Sequence, residues 1–448
     1  MFRGPNASGI GGEKNLPDEF GPQKNLIWKT PLPAGHSSPV LIGDRIFLTG
    51  FDMDGLYTFA LDRSTGQILW RRQAPRPRVE TLHKSNSPAS PSAAGDGRNV
   101  YVFFTDFGLI SYGPDGEERW NLPLGPFNNP FGQAASPVLS GNTLLQSCDQ
   151  ESGSYFLAID KDTGKVKWRV ERPDYTRGFS TPILWKPKEG PLQVLLAGSY
   201  RLAAYEVETG NPVWFVSGLS WQLKPTPVMD GDNVYVLSWA GEADPGQQEV
   251  VPNFEQALAE MDANKDGKLA RAELLPEKMQ KGWESLDLDG DGFMGARDWA
   301  MYQAKRAVVN GVTAFKLGGK GDMTARNTLW KYSKSLPNVP SPLVYQGVLY
   351  LMKEGAILTA LDTKTGEVLK QARLPEAPGL YFSSPVASAG KLYTLSEEGK
   401  LTVLKAGGQW EVIATNAIDE GCYATPALVD GRIYVRCSSG LFAFGKAD

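Results

Sequence analysis

Short apolar runs alternate with turn residues along most of the chain, and the stretch from Pro39 to Trp70 shows the order most clearly. Gly43-Asp44 separates the first apolar run from the second, and the turn before the last run is rich in residues that bond their own backbone or tolerate positive φ. The segments predicted as strands by this pattern are residues 40–42, 45–49, 56–61 and 67–72. The order predicts one four-stranded antiparallel sheet.

The same order recurs because a Ser-Pro or Thr-Pro step opens each unit. The steps are Ser38-Pro39, Ser90-Pro91, Ser136-Pro137, Thr181-Pro182, Thr226-Pro227, Ser341-Pro342, Ser384-Pro385 and Thr425-Pro426. Apart from one long gap, they lie about 41 to 52 residues apart, a period typical of propeller blades. The sequence therefore predicts an all-β protein, an eight-bladed β-propeller of four-stranded antiparallel blades.

The last blade is incomplete at the C-terminal end, because residues 424–444 supply only three strands. Residues 25–32, which carry Trp28, read as a lone fourth strand that closes the ring and removes an exposed sheet edge. The predicted organisation is an N-terminal extension (1–24), propeller segments (25–243 and 309–448) and a helical insert in blade five (244–308).

A recurrent phrase, Ala-Leu-Asp-x-x-Thr-Gly-x-x-x-Trp, closes several blades. It spans Ala60–Trp70 and Ala158–Trp168, recurs with Glu for Asp at Ala204–Trp214, and ends in Lys at Ala360–Lys370. The phrase resembles the tryptophan-docking motif of the pyrroloquinoline-quinone (PQQ)-like β-propeller repeat family, which includes quinoprotein alcohol dehydrogenases and the BamB-like propeller of the outer-membrane β-barrel assembly machinery. The resemblance covers nearly the whole chain. It implies the fold more than an activity, because these residues hold blades together.

Composition narrows the functional classes. The net charge of −4 and the lack of Lys/Arg clusters argue against a nucleic-acid partner, and no apolar run is long enough to span a membrane. No secretory leader follows Met1, so the protein is either cytoplasmic or separated from its signal peptide; the family resemblance favours a periplasmic or secreted location. The chain has three cysteines. Two of them, Cys422 and Cys437, lie diagonally opposite each other on one face of a predicted hairpin. The sequence leaves open whether they form a disulfide or remain free thiols.

The long gap inside blade five contains two candidate calcium loops between short amphipathic helices. The first loop follows the twelve-residue EF-hand pattern, with oxygen ligands at positions one, three, five, seven and twelve and glycine at six. Its predicted ligands are Asp262, Asn264, Asp266, the carbonyl of Lys268, and Glu273. The second loop has the predicted ligands Asp287, Asp289, Asp291, the carbonyl of Phe293, and Asp298.

Aspartate rather than glutamate ends the second loop, and its shorter side chain predicts weaker Ca²⁺ binding or better tolerance of Mg²⁺. An Asp-rich surface turn without metal is the alternative for this loop. The sequence thus predicts one or two bound Ca²⁺ ions. We expect the paired loops to act as a structural clamp rather than a switch, and to lie at or over the mouth of the propeller funnel.

Any further site is expected in the loops that lead into the innermost strands. Candidate residues there are Arg78, Glu80, His83, Lys84, Asn128, Asn129, Tyr175, Arg177, Trp221, Gln222, Lys224, Tyr381, Asp419 and Glu420. Trp221 and Trp239 are candidates for stacking on a planar cofactor such as PQQ. Solvated loops are also polar without binding anything, so this set alone does not define a ligand.

The resemblance to quinoproteins implies features that the chain lacks: an adjacent Cys-Cys pair, a long catalytic insertion and a haem-attachment motif. Because the chain has only two histidines, it has little from which to build a Ser-His-Asp hydrolase site. Catalysis by a pair of carboxylates, as in glycosidases, remains an open alternative. We therefore expect a non-catalytic, extracytoplasmic, calcium-binding propeller that binds a protein or polymer through its loops, with a monomer as the expected state. The alternative is a PQQ-dependent dehydrogenase, or another enzyme that uses the funnel.

Overall fold

The computed structural model describes residues 1–446, in which eight antiparallel blades surround a central axis. The predicted eight-bladed propeller is confirmed. Each blade runs from an innermost first strand to an outermost fourth strand, and consecutive strands pair as neighbours. No described helix has the length and apolar character needed to cross a bilayer.

The strands of blades one to four are Val40–Ile42, Arg45–Phe51, Leu56–Asp62, Ile68–Ala74; Ala94–Gly95, Val100–Phe104, Gly108–Tyr112, Glu118–Pro123; Val138–Ser140, Thr143–Cys148, Tyr155–Asp160, Val166–Glu171; and Ile183–Trp185, Gln193–Gly198, Arg201–Glu206, Pro212–Ser217. Those of blades five to eight are Val228–Asp230, Asn233–Ser238, Gly311–Lys316, Thr328–Tyr332; Leu343–Tyr345, Val348–Lys353, Ile357–Asp362, Val368–Arg373; Val386–Ser388, Lys391–Leu395, Lys400–Lys405, Glu411–Ala417; and Ala427–Val429, Arg432–Cys437, Gly440–Gly445, Leu26–Pro31. A short extra strand, Gly321–Asp322, pairs in parallel with the outer edge of blade four.

The ring closes as the sequence predicts, because the strand Leu26–Pro31 pairs antiparallel with Gly440–Gly445 and completes blade eight. Cys422 and Cys437, left open by the sequence, form a disulfide in the same blade, with their Cα atoms 4.2 Å apart. The first and last strands of the propeller are thereby held in one sheet.

The closing tryptophans join neighbouring blades. The Trp70 indole Nε1 donates to the Pro114 carbonyl in the next blade at 2.8 Å, and Trp120 does the same to Lys161. The turn glycine Gly116 lies under the Trp70 ring with φ +80°, and a Cβ there would come within 2.8 Å of the ring. Where blade six has Lys370 in place of tryptophan, its ammonium donates to the Trp410 carbonyl at 2.6 Å. These residues are structural.

A ring of hydroxyl side chains links the innermost strands, because the backbone N–H of one blade donates to the hydroxyl of the next. The donor and acceptor pairs are Ser38 to Ser92, Ser92 to Ser136, Ser136 to Thr181, Thr226 to Ser341, Ser341 to Ser384, Ser384 to Thr425, and Thr425 to Ser38, at 2.9 to 3.1 Å.

The prediction that Ser90-Pro91 opens blade two is wrong by two residues. Ser92 occupies the ring position and the first strand begins at Ala94. The Ser90 hydroxyl instead accepts the N–H of Ser87 at 3.0 Å, within its own loop, so it cannot complete the contact between blades.

The N-terminal extension packs against the face opposite the loops and then enters the axial channel. Phe20 is buried between blades seven and eight, and Ile10 bridges Ala387 on an innermost strand. Further along the channel, Asn6 exchanges two hydrogen bonds with the backbone of Leu184, at 2.7 and 2.9 Å. The Arg3 guanidinium is buried and donates to the carbonyls of Pro342 and Pro385. The extension thus occupies backbone groups that the innermost strands leave unpaired.

The insert in blade five has its own small hydrophobic core. It contains three helices, α1 (Phe254–Met261), α2 (Lys278–Lys281) and α3 (Ala296–Ala307), while a fourth, α4 (Thr324–Asn327), follows in the blade. Asn253 caps α1 by accepting the N–H of Gln256. The core side chains are Ala257, Met261, Leu269, Leu274, Met279, Leu286, Met294 and Trp299.

Candidate functional site

The insert lies on the loop face, defined here as the face that carries the loops entering each innermost strand. It docks on blades three and four through five contacts between the insert and the propeller. These contacts join Asn128 to the Leu288 carbonyl (3.1 Å), Arg297 to the carbonyls of Glu151 (3.1 Å) and Pro173 (3.2 Å), Tyr200 to the Met301 carbonyl (2.9 Å), and the Lys305 ammonium to the Trp221 ring (4.4 Å). Beneath it, Glu151 and Arg177 form a buried ion pair.

The insert lies on the predicted loop face, beside the funnel wall rather than in it. Among the described residues, none from 244–308 contributes to the funnel wall. The loop face is the predicted one, but docking contacts from blades three and four draw the insert to one side.

The first candidate calcium loop is held in shape by its own carboxylates. Asp262 accepts the Gly267 N–H at 2.9 Å, and Asp266 accepts the Lys268 N–H at 2.9 Å. Glu273 folds back across the loop and accepts N–H groups from Ala263 and Ala270. Asn264 accepts the Asp266 N–H at 2.9 Å, so the predicted side-chain ligands of this loop share one hydrogen-bonded turn.

The second loop repeats this arrangement. Asp287 accepts the Gly292 N–H at 3.0 Å, Asp291 accepts the Phe293 N–H at 2.9 Å, and oxygens of Asp287, Asp289 and Asp291 lie within 4.8 Å of one another. Asp298 is buried and accepts the Gly295 N–H at 3.3 Å. Residues 269–270 and 293–294 pair antiparallel between the loops, with Leu269 opposite Met294.

The donor set of both loops suits a hard divalent cation. In the second loop the carboxylates of Asp287, Asp289 and Asp291 lie close enough to repel one another, a cost that a bound cation would relieve, and the oxygen donors of both loops are of the kind that Ca²⁺ prefers. The Lys268 ammonium is 3.9 Å from Asp291, a single exposed pair.

The funnel is a cavity of about 350 Å³ on the axis of the loop face. Its lower wall is the hydroxyl ring together with Phe2 of the N-terminal extension. Among the described lining residues there is no aspartate or glutamate, and Lys224 is the one lysine or arginine.

One repeat position forms much of the upper wall, the residue two places before each ring hydroxyl. In order of blades these residues are His36, Ser90, Ala134, Phe179, Lys224, Val339, Phe382 and Tyr423. Sequence reasoning named few of them, although the position could have been found by aligning the Ser-Pro and Thr-Pro steps in correct register. The wall is consequently aromatic on several sides, with its one cation in blade five.

Aromatic stacking organises this wall. His36 stacks on Tyr423 with ring centroids 4.2 Å apart, and Tyr423 stacks on Phe382 at 4.8 Å. On another side His83 stacks on Phe131 at 5.3 Å. Flat apolar surfaces therefore face the cavity.

The two candidate tryptophans lie in different places. Trp239 lines the funnel, where the Lys224 ammonium lies 5.3 Å from its ring centroid. Trp221 lies outside it, between the Arg177 guanidinium (5.0 Å) and the Lys305 ammonium (4.4 Å) at the insert interface. The structure thus separates the pair.

Other loop residues predicted as candidates are mostly engaged in local contacts. Arg78 pairs with Glu80, Tyr175 stacks on the Arg172 guanidinium, and Tyr381 is buried. Asp419 pairs with Lys400 and Glu420 with Lys29. Asn129 is buried beside the Asp149 carbonyl, and Lys84 is exposed. Of this set, His83, Gln222 and Lys224 line the funnel.

Two funnel groups have strongly shifted pKa values. Burial, with a smaller effect of the Arg436 charge, lowers the pKa of His36 to about 4, so its imidazole is neutral at pH 7. Burial, with a smaller effect of Arg177, lowers the pKa of Lys224 to about 7. The funnel wall is therefore polar but carries little charge.

We expect His36 to make the fold acid-sensitive. Its folded pKa lies below the unfolded value of about 6.5, so the stability it contributes is present above that pH and is lost as pH falls toward 4, by up to about 1.4 kcal/mol per pH unit. His36→Phe keeps a flat ring against Tyr423 and should flatten this part of the pH profile in denaturant unfolding. An NMR titration of the His83→Asn variant, which leaves one imidazole, checks the value; a midpoint near 6.5 would refute it.

An eight-bladed ring with tryptophan docking and an axial funnel defines the PQQ-like repeat class of propellers. The sequence model for outer membrane protein assembly factor BamB matches residues 21–152, 60–253 and 157–447. The chain belongs to this family.

Individual relatives are distant. BamB of Yersinia pestis is 22% identical over 409 residues, which cover 85% of this chain and 88% of that protein. A polyvinylalcohol dehydrogenase from a Pseudomonas species is 24% identical over 237 residues, 43% of this chain but only 36% of the enzyme's length. The crystal structure of BamB from Moraxella catarrhalis superposes with a TM-score of 0.58 at 13% identity, covering 93% of this chain and 98% of that one, and shares the fold.

Proposed function

We propose that this protein is an extracytoplasmic, calcium-binding propeller that acts as a non-catalytic scaffold, binding a protein or ligand through its loop face. The observation that carries the proposal is the funnel wall, which is aromatic and hydroxyl-rich and, among described residues, has no carboxylate. Among the described lining residues, a carboxylate that could serve as general acid or base is thus missing from the cavity where a reaction would take place.

The same observation weighs against a PQQ-dependent dehydrogenase. The resemblance to those enzymes implies a catalytic aspartate and a Ca²⁺ held beside the quinone by acidic side chains. In this chain the carboxylates suited to Ca²⁺ lie in the insert, which is docked beside the funnel. Trp239 could provide one stacking surface, but the remaining parts of that site have no counterpart among the lining residues.

Compartment and partner are proposed on separate grounds. The disulfide between Cys422 and Cys437 supports an oxidising compartment, periplasmic or secreted. The relatives named outer membrane protein assembly factor support a protein partner. The loop face offers this partner a broad surface, because the insert extends it beyond blades three and four.

In the insert, Ca²⁺ would be held by Asp262, Asn264, Asp266, Glu273 and the Lys268 carbonyl, and by the corresponding set of the second loop. The ion supplies positive charge that these carboxylates otherwise lack. The residues around it fix the two loops against each other through the pairing of Leu269 with Met294. The proposed role is a clamp that stiffens the loop face.

The test is a calorimetric titration of chelator-stripped protein with PQQ, with and without millimolar Ca²⁺. A dye-linked oxidation assay with ethanol and with polyvinyl alcohol accompanies it. We expect Ca²⁺ uptake, no saturable quinone binding and no turnover. Saturable quinone binding together with dye reduction would overturn the scaffold proposal in favour of the dehydrogenase.

A further inference from the structure

We propose that the funnel binds a small organic molecule with one carboxylate and a flat apolar body, held by Lys224, Gln222 and Trp239. This inference rests on the proposed binding function and names the ligand class of its central cavity. It predicts a singly charged ligand, in contrast to a tricarboxylate such as PQQ.

The lysine is the first observation. Lys224 holds the single cationic place in the repeat position that lines the funnel, and its closest aromatic neighbour there is Trp239, 5.3 Å from the ammonium. Among the described residues it has no carboxylate partner, and the nearby charge that acts on it is the positive Arg177. Lys224 is only partly exposed, so an ammonium there without a counter-ion is unfavourable, and an anionic ligand lowers this cost.

Two amide side chains of the funnel wall also lack partners among the described residues. Gln222 is 7% exposed, lines the funnel, and its Nε2 donor has no hydrogen-bond acceptor among described residues. Asn338 lines the same cavity with an unpartnered Oδ1 acceptor. Both residues line the same cavity as Lys224, so a ligand bound there can complete their hydrogen bonds.

These groups define the chemistry of the ligand. An ammonium and an amide N–H are both donors, which suits the two oxygens of one carboxylate. The Asn338 oxygen suits a hydroxyl or N–H elsewhere on the ligand. Trp239 and the stacked His36, Tyr423 and Phe382 provide flat apolar walls for its body. The described lining residues include a single lysine or arginine, which can neutralise one carboxylate of the ligand. A ligand with several carboxylates would therefore keep uncompensated negative charge.

The experiment compares 2-naphthoate with its neutral isostere 2-naphthamide, and with PQQ, by calorimetric titration of the whole protein. We expect naphthoate to bind about ten- to a hundredfold more tightly than the amide, the value of a charge-assisted hydrogen bond. This comparison needs no variant, so it does not depend on refolding. Equal affinity for acid and amide, no binding of either, or tighter binding of PQQ than of naphthoate would overturn the proposal.

Substitutions of single lysines test whether Lys224 causes the preference for naphthoate. Lys224→Met should abolish the preference for naphthoate while leaving the weak binding of naphthamide unchanged. Lys305→Met is the matched control, because Lys305 also lies over a tryptophan, Trp221, but outside the funnel. A Lys224→Met protein that keeps the preference, or a Lys305→Met protein that loses it, would contradict the assignment. Loss of naphthoate binding leaves the Ca²⁺ titration and the dehydrogenase assay unaffected, so this proposal can fail without the proposed function failing.

Discussion

Replacing Arg172 by methionine is expected to destabilise the protein by about 3–5 kcal/mol, because it leaves a buried carboxylate without a counter-charge. Arg172 and Asp149 are fully buried and joined by two hydrogen bonds, Nε to Oδ1 at 2.7 Å and Nη2 to Oδ2 at 2.9 Å. The guanidinium also stacks on Tyr175 at 3.5 Å. Denaturant unfolding at pH 7 measures the loss.

The chain offers a matched control three residues away. Arg169 pairs with Glu171, but both side chains are about half exposed, and such pairs contribute at most about 1 kcal/mol. Arg169→Met should therefore cost far less than Arg172→Met. The double variant Arg172→Met/Asp149→Leu, which removes both charges, should recover most of the loss; similar costs for the double and single variants would show that packing, not charge, holds the site.

This pair matters to the loop face because it lies below the platform on which the insert docks. Asp149 immediately precedes the segment that carries Glu151, and Arg172 precedes Pro173; the carbonyls of Glu151 and Pro173 accept from Arg297 of the insert. A bidentate buried pair fixes both segments relative to each other. The ion pair thus adjoins both segments that contact the insert.

Local sequence patterns were enough to predict most of the fold. Turn residues and apolar runs repeat in every blade, so blade number and the closing strand at Leu26–Pro31 could be predicted from the chain alone. The error at Ser90-Pro91 has a physical cause. Selection of the ring residue depends on a hydrogen bond to the neighbouring blade, and Ser90 and Ser92 look alike to a local pattern.

The candidate site was harder to predict from the sequence for the same reason. The funnel wall assembles one residue from each of eight distant segments, and what identifies Lys224 as unusual is the absence of a carboxylate among the described residues that line the cavity. Trp221 and Trp239 are equally plausible in sequence, but only the arrangement of blades four and five places one inside and the other beneath the insert. The threading of Asn6 and Arg3 through the channel likewise has no local signal.

Removing Ca²⁺ is expected to loosen the insert while the propeller stays folded. Ligand that binds only the folded loops stabilises them by about 2.7 kcal/mol at a hundredfold excess over Kd. The small core around Trp299 and Met261 is separate from the blades, so this energy acts locally. Hydrogen exchange with and without chelator should show protection lost in residues 254–307 and retained in the strands. Equal exchange in both conditions would contradict a calcium clamp.

Two substitutions distinguish the contributions of the two candidate calcium loops. Glu273→Gln removes the bidentate ligand of the first loop and should weaken its Ca²⁺ affinity by about a hundredfold or more, since even outer-sphere ligand changes cost ten- to a hundredfold. Asp298→Asn should abolish only the second site, which we expect to be the weaker one because the aspartate side chain is shorter than glutamate. Calorimetry should therefore resolve a tight and a weak site in the wild-type protein, with one lost in each variant. Because Arg297 and Leu288 of the second loop contact the propeller directly, Asp298→Asn should also raise exchange at Asn128 and Glu151, and Glu273→Gln should leave those positions protected.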